Sequence, residues 1–114
     1  MPTSGNFLEA SEIPWENIGE GRRRQILCYQ DDLMLIHFEF ETGAVGEPHT
    51  HPHSQCAYIK SGVFDVTIKG VTRRLGAGSS YVVDGGVLHG AVCIEAGTMI
   101  DAFTPHRDDY LGET

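Results

Sequence analysis

The sequence predicts an all-β fold in which one small antiparallel sandwich or barrel forms the whole domain. The chain has 114 residues, which supports one compact domain. Its 14 glycines recur every few residues from Gly43 to Gly97 and break any window long enough for a helix. Between the glycines, apolar and polar residues alternate with the period of two that is typical of strands with one buried face.

The clearest strands lie in the middle of the chain. In residues 34–41 and again in 63–69, every second side chain is apolar and should face the core. Lys69-Gly70 then offers a tight turn into a strand over residues 71–75. Five shorter runs complete a set of about eight strands, at residues 25–30, 57–60, 80–83, 91–95 and 98–103.

The N-terminal part of the chain lacks this alternation. We therefore predict an N-terminal arm over residues 1–24, which lays Trp15 on the barrel, and a barrel domain with a C-terminal tail over residues 25–114. The run Arg22-Arg23-Arg24 could form an anion-binding patch. In so acidic a chain we interpret it instead as a solvated strand edge.

The charge balance excludes several classes of partner. Sixteen acidic and eight basic residues give a net charge of -8, so the surface should repel nucleic acid and anionic membrane surfaces. No apolar run approaches the roughly 20 residues that a membrane span needs, and the N-terminus lacks the pattern of a signal peptide. These features predict a soluble, cytoplasmic protein.

The histidines indicate the chemistry. Three of the six lie in the pentapeptide His49-Thr50-His51-Pro52-His53. On an extended strand, His49 and His51 share a face and can direct ring nitrogens to one point roughly 2 Å away, as a divalent metal requires. Gln55 keeps the same parity, and His89 could join from another strand. His53 is a competing ligand, and is otherwise placed near the rim.

Such a site leaves the metal identity open. Imidazole and amide oxygen accept zinc, nickel, iron, manganese or cobalt. Without an anionic ligand the ion would keep its full double positive charge, which makes it a stronger Lewis acid.

Asp101 and Arg107, near the C-terminus, are two further candidate site residues. If Met99 and Phe103 line the barrel, parity places Asp101 inside as well, where a carboxylate is costly unless it is paired or catalytic. Asp101 is therefore a candidate general acid or base, unless this face points outward. Arg107 could hold a substrate carboxylate with its planar fork, or could pair on the surface with neighbouring aspartates.

The histidine motif resembles the first motif of the cupin family, with glutamine where glutamate is usual. A second cupin motif is approximated by the glycines before His89, although Asp84 replaces the usual proline. The resemblance covers residues from about 34 to 103 and implies a double-stranded β-helix, or jelly-roll barrel. It also implies a metal inside the barrel, held by His49, His51, Gln55 and His89.

A narrower resemblance is carried by the phrases at residues 24–27, 43–46, 49–55, 101–105 and 107–111, which are similar to the KdgF family of pectin-degradation proteins. In that family the fourth ligand is also glutamine. The resemblance implies conversion of 4,5-unsaturated monouronates, released from pectin or alginate, into linear 5-keto-4-deoxyuronate. By match of D-x-F-x-P-x-R, it assigns catalytic roles to Asp101, Phe103 and Arg107.

Three other expectations remain beside this interpretation. The same barrel could serve a cupin dioxygenase that uses ferrous iron, or a non-catalytic cupin that binds a sugar or an anion. Small cupins commonly dimerise, so we expect a homodimer in which the arm residues Phe7, Leu8 and Trp15 bury against a partner sheet.

Overall fold

A computed structural model describes residues 3–111 and shows a single-domain jelly-roll barrel, which confirms the predicted fold class. Within these residues there is no α-helix, and two short 3-10 turns cover Ala10–Glu12 and Asp108–Leu111. The eight strands are β1 Glu16–Gly19, β2 Arg22–Gln30, β3 Leu33–Phe40, β4 Val45–His49, β5 Ser54–Ile68, β6 Val71–Gly76, β7 Ser80–Val83 and β8 His89–Thr104.

The two long strands, β5 and β8, organise the barrel. They pair antiparallel along almost their whole length. The C-terminal half of β8 also pairs with β3, which continues to β2 and β1, while the N-terminal half of β8 pairs with β4. Likewise, β7 pairs with the first half of β5 and β6 with the second half. Each long strand therefore serves both walls of the barrel.

Glycines make this change of wall possible. The pairing of β5 with β8 shifts register around Ser61 and Val63. Between them Gly62 has a φ of +85°, and a Cβ there would lie 2.6 Å from the Glu95 carbonyl oxygen. A Cβ at Gly97 would overlap the Ser61 carbonyl oxygen. At this corner the two backbones cross so closely that neither position has room for a side chain.

All the predicted strands are present in the structure, but some of them are joined into longer strands and two further strands are added. The two-residue turn is confirmed, since Lys69 and Gly70 both have positive φ and Ile68 pairs with Val71. The runs predicted at 57–60 and 63–69 form one strand, β5, and those at 91–95 and 98–103 form β8. The short strands β1 and β4 were not predicted, because β1 has a single apolar side chain, Ile18, and β4 contains Gly46 and Pro48.

The core follows the predicted alternation. Side chains of β3, β5 and β8 fill the interior, with the buried apolar residues Met34, Ile36, Phe38, Ile59, Phe64, Val66, Met99 and Phe103. Burial of each such side chain contributes roughly 1.5–3 kcal/mol to stability. Polar side chains interrupt this core in one region, which holds the candidate site.

The first strands lie partly within the segment predicted as an arm. β1 pairs with β2, and β2 pairs with β3. Trp15 lies on the outside of the barrel, with its ring centre 5.1 Å from that of His37. The division of the chain at residue 24 stays a prediction, and residues 112–114 of the predicted tail lie outside the described part. No helix in residues 3–111 has the length and apolarity to cross a membrane.

Candidate metal and substrate site

Three histidines from different parts of the chain meet inside the barrel. His49 ends β4, His51 lies in the loop that follows, and His89 begins β8. One ring nitrogen from each lies within 4.8 Å of those of the other two. His51 and His89 are buried, whereas His49 reaches the cavity from an exposed position. The cluster could therefore hold one metal ion.

The backbone fixes which nitrogen each ring presents. Nδ1 of His49 lies 2.9 Å from the Glu47 carbonyl oxygen, Nδ1 of His51 2.9 Å from that of His53, and Nδ1 of His89 2.8 Å from that of Val87. A carbonyl only accepts, so Nδ1 carries the proton and Nε2 keeps its lone pair. Backbone carbonyls commonly orient metal-binding histidines in this way.

Burial also keeps the rings in the form that binds metal. Burial, assisted by the nearby Arg107 charge, lowers the pKa of His51 to about 4. The pKa of His89 is lowered as well, mainly by burial. Both rings are therefore neutral near pH 7, with a free lone pair on Nε2.

Gln55, the second residue of β5, completes the ligand set proposed from the sequence. Its Oε1 lies 2.9 Å from His51 Nε2. With the proton of His51 on Nδ1, these two atoms are both acceptors and cannot bond to each other. Two ligands about 2.1 Å from one ion and at right angles to each other lie about 3.0 Å apart, which matches this pair. The donor set therefore fits a divalent ion.

Asp101 lies next to the side-chain amide of Gln55. It is only 3% exposed, on the same face of β8 as Met99 and Phe103. Its Oδ2 accepts a hydrogen bond of 3.0 Å from Gln55 Nε2, and its Oδ1 is buried with no partner among residues 3–111. Burial raises the pKa of Asp101 to about 8, so the metal-free protein holds this carboxyl mostly protonated at neutral pH.

Phe103 and Arg107 line the same cavity as this carboxyl. The Phe103 ring is buried against His51, with ring centres 5.8 Å apart, and the Arg107 guanidinium lies 5.1 Å from the centre of the Phe103 ring. Arg107 is buried, and its Nε and Nη2 donate to the two carboxylate oxygens of Asp109 at 3.0 and 2.7 Å. Its Nη1 is buried without a partner in the described structure.

Comparisons with known proteins identify the family. The cupin domain model matches residues 36–107. The chain is 43% identical over 102 residues to the pectin degradation protein KdgF of Dickeya dadantii, covering 88% of this chain and 93% of that protein. The chain belongs to the KdgF family of cupins.

Two solved structures share this fold closely. A RmlC-like cupin from Shewanella frigidimarina superposes with a TM-score of 0.92 at 41% identity, covering 96% of this chain and 99% of the other. KdgF from Halomonas sp. superposes with a TM-score of 0.88 at 38% identity, covering 94% of this chain and 99% of that one. The whole barrel is thus shared with a KdgF protein.

The site of this KdgF-family cupin opens into a cavity of about 300 Å³. His49, Gln55, His89 and Asp101 line it together with Phe103 and Arg107. The structure therefore brings most of the residues predicted for the site to one cavity. His51 does not line the cavity, but it contributes the third histidine of the cluster.

The other histidines lie elsewhere. His53 is not part of the three-histidine cluster, and its backbone carbonyl orients His51. His37 faces outward from β3 and bonds to Gln25 through Nδ1, at 2.9 Å from Oε1. His106 is buried, with Nδ1 2.7 Å from the Asp31 carbonyl oxygen.

The interpretation of Arg22-Arg23-Arg24 as a solvated edge was wrong for two of the three residues. β2 lies between β1 and β3, and Arg22 and Arg24 line the cavity. Only Arg23 faces outward, where it pairs with Glu39 at 2.6 Å. The signal was present in the sequence, since Arg22 and Arg24 have the parity of Ile26, which pairs with the core residue Ile36. Tyr110, which also lines the cavity, carried no such signal.

Proposed function

We propose that this protein converts 4,5-unsaturated monouronates, released from pectin or alginate, into linear 5-keto-4-deoxyuronate. The relatives support the substrate class, because one of them is named a pectin degradation protein. The observation that carries the proposal is the placement of Asp101. A buried carboxyl without a salt-bridge partner in the described residues lines the same cavity as His49, His89 and Arg107.

Each group of site residues has a separate role in the proposed reaction. His49, His51, Gln55 and His89 would hold a divalent transition metal, which supplies a Lewis acid for a substrate oxygen. Arg107 is partly engaged by Asp109, so it offers Nη1 and the second hydrogen of Nη2 to the substrate carboxylate. Phe103 forms an apolar wall of the cavity between His51 and Arg107.

Asp101 transfers the proton. Protonated Asp101 gives its proton to the carbon of the enol-ether double bond that is remote from the ring oxygen. Water adds its oxygen to the other carbon and loses a proton to the Asp101 carboxylate. In the resulting hemiketal the bond from this carbon to the ring oxygen breaks, the proton of the hemiketal hydroxyl goes to the ring oxygen, and a ketone remains. The ring oxygen stays on the former anomeric carbon as part of an aldehyde hydrate, which releases one water. Asp101 is returned to its protonated state, so the cycle balances.

The proposed reaction removes the conjugated double bond of the substrate, and this loss can be measured. Metal-loaded protein should accelerate the fall in ultraviolet absorbance of an unsaturated monouronate. Asp101→Asn keeps an oxygen that can accept from Gln55 but cannot transfer the proton, so its rate should fall by about 10²–10⁴-fold. If the wild-type protein is no faster than buffer, the proposed reaction is wrong. Oxygen uptake with ferrous iron, measured with an oxygen electrode, would favour the dioxygenase alternative instead.

We also propose that the protein forms a homodimer through the outer face of β3, β8, β5 and β7. Leu35, Ala102, Cys56 and Val82 are aligned across these four strands in one uncharged row. Tyr58 and Val82 on this face are exposed. In a protein of charge -8, this uncharged row lets two copies approach with less repulsion than an acidic surface would. Trp15 packs on its own barrel, so Phe7 is the arm residue that is free to reach a partner.

A further inference from the structure

The cavity is also lined by Arg24, for which the proposed reaction has no role. The Arg24 side chain, on β2, is mostly buried, with 14% of its surface exposed. Its Nε is buried and has no hydrogen-bond partner within residues 3–111. The nearest carboxylate oxygen is that of Glu16, 3.7 Å from Nε, which is beyond hydrogen-bond distance. Arg24 is therefore a mostly buried cation whose long ion pair with Glu16 leaves Nε without a hydrogen bond in the described residues.

Tyr110 connects Arg24 to Arg107. The Tyr110 ring centre lies 3.9 Å from the Arg24 guanidinium carbon and 4.0 Å from that of Arg107. The two carbons are thus no more than about 8 Å apart, and positive charges at this separation repel each other in a partly buried site. Each guanidinium also keeps one buried nitrogen without a partner in the described chain, Nε in Arg24 and Nη1 in Arg107.

This arrangement is unfavourable for the empty protein. An unpaired buried donor costs free energy, and so does the approach of two cations. A carboxylate in the cavity that both residues line would relieve both costs by accepting from these two nitrogens. Because the Tyr110 ring contacts both guanidinium groups, the carboxylate must bind beside this ring, on its cavity side.

We propose that Arg24 is a specificity residue that binds the carboxylate of an acidic sugar jointly with Arg107. The inference rests on the proposed function for the identity of the sugar, but the site itself requires only a carboxylate. It also explains how an anion can enter a protein of charge -8, because Arg22, Arg24 and Arg107 surround the cavity with local positive charge.

The chain offers a matched control at the adjacent position. Arg23→Gln removes the same charge as Arg24→Gln, but Arg23 faces outward against Trp15 and Glu39. Binding of galacturonate, an acidic sugar without the reactive double bond, can be measured by calorimetry on the metal-loaded protein. Arg24→Gln should weaken it by about 10- to 100-fold, and Arg23→Gln by less than about two-fold. Binding of neutral galactose should be the same in all three proteins.

A second variant distinguishes the loss of a contact with the sugar from a folding defect. Glu16→Gln removes the carboxylate nearest to Arg24, so it should strengthen galacturonate binding, which a damaged barrel would not do. Arg24 has no such role if Arg24→Gln binds galacturonate like the wild type, if Arg23→Gln weakens it equally, if galactose binding falls in parallel, or if the wild type binds no galacturonate.

The two proposals fail separately. If the galacturonate pattern holds but no unsaturated uronate is consumed, the carboxylate site stands and the proposed reaction falls. If turnover is normal while the KM for the unsaturated uronate is the same in Arg24→Gln and Arg23→Gln, the reaction stands and the role of Arg24 falls.

Discussion

The side-chain amide of Gln55 donates a 3.0 Å hydrogen bond to the Asp101 carboxyl, while its oxygen lies 2.9 Å from His51 Nε2. An amide can do both, because it has a donor at one end and an acceptor at the other, whereas an ionised carboxylate only accepts. A glutamate, which is usual at this position of the cupin motif, could bind a metal but could not donate to Asp101. The glutamine thus couples the metal-capable cluster to the proposed proton-transfer group.

This relationship predicts a separation of metal binding from turnover. Gln55→Glu should retain or strengthen metal binding, since a carboxylate is also a good ligand. Turnover of the unsaturated uronate should fall by about 10- to 100-fold, because Asp101 loses its donor and faces a second carboxyl instead. Metal content by mass spectrometry and the rate on the same sample check this. Full activity in metal-loaded Gln55→Glu would show that the amide hydrogen bond is dispensable.

The histidine cluster predicts a stabilising metal. An ion present at 100 times its dissociation constant stabilises the fold by about 2.7 kcal/mol, which corresponds to a rise in Tm on the order of 10 °C. Chelation should therefore lower the Tm and abolish turnover, and added zinc or nickel should restore the Tm. His89→Ala should lose this response. His37→Ala is the control, because His37 lies outside the cluster and faces the other side of β3. An equal metal response in both variants would contradict the assignment.

Alternation along the chain predicted the walls of the barrel and placed Asp101 on the same face as Met99 and Phe103, but it left open whether that face points inward. Parity on an extended strand depends only on local geometry, so Met34 and Phe64 were placed correctly without knowledge of the pairing, whereas the inward direction of the Asp101 face is established by its burial in the structure. The same rule applied to Arg22 and Arg24 would have placed them inside. Their composition favoured a solvated edge, and the actual position of β2 between two other strands depends on long-range pairing that the sequence does not display.

The sequence could not reveal details that arise from distant contacts. The hydrogen bonds that orient the three rings come from backbone carbonyls, which every residue has. The contact of Tyr110 with Arg24 joins residues from opposite ends of the chain. The continuity of β5 and β8 also escaped prediction, because glycines that usually end strands here allow two backbones to cross.

That crossing predicts a strong dependence on Gly97. Gly97→Ala would force a methyl group into the Ser61 carbonyl and the Gly62 backbone, so the free energy of unfolding should fall by about 2–4 kcal/mol. Gly76→Ala is the matched control, since a Cβ at Gly76 meets no atom within 4 Å, and its effect should stay within about 1 kcal/mol. Urea unfolding of the two variants measures the difference. Equal stability would show that the corner can relax.

The proposed dimer face predicts the effect of a charge on Val82. Val82 is 64% exposed and lies in the uncharged row of the outer face, whereas Val71 is 59% exposed and begins β6 in the other wall. Val82→Lys should place a charge from each copy within the interface, where its desolvation cost shifts the protein toward monomer. Val71→Lys should leave the association unchanged. Sedimentation velocity over a range of concentrations distinguishes the two. A monomeric wild type would overturn the dimer, and a Val82→Lys dimer as tight as the wild type would place the interface elsewhere.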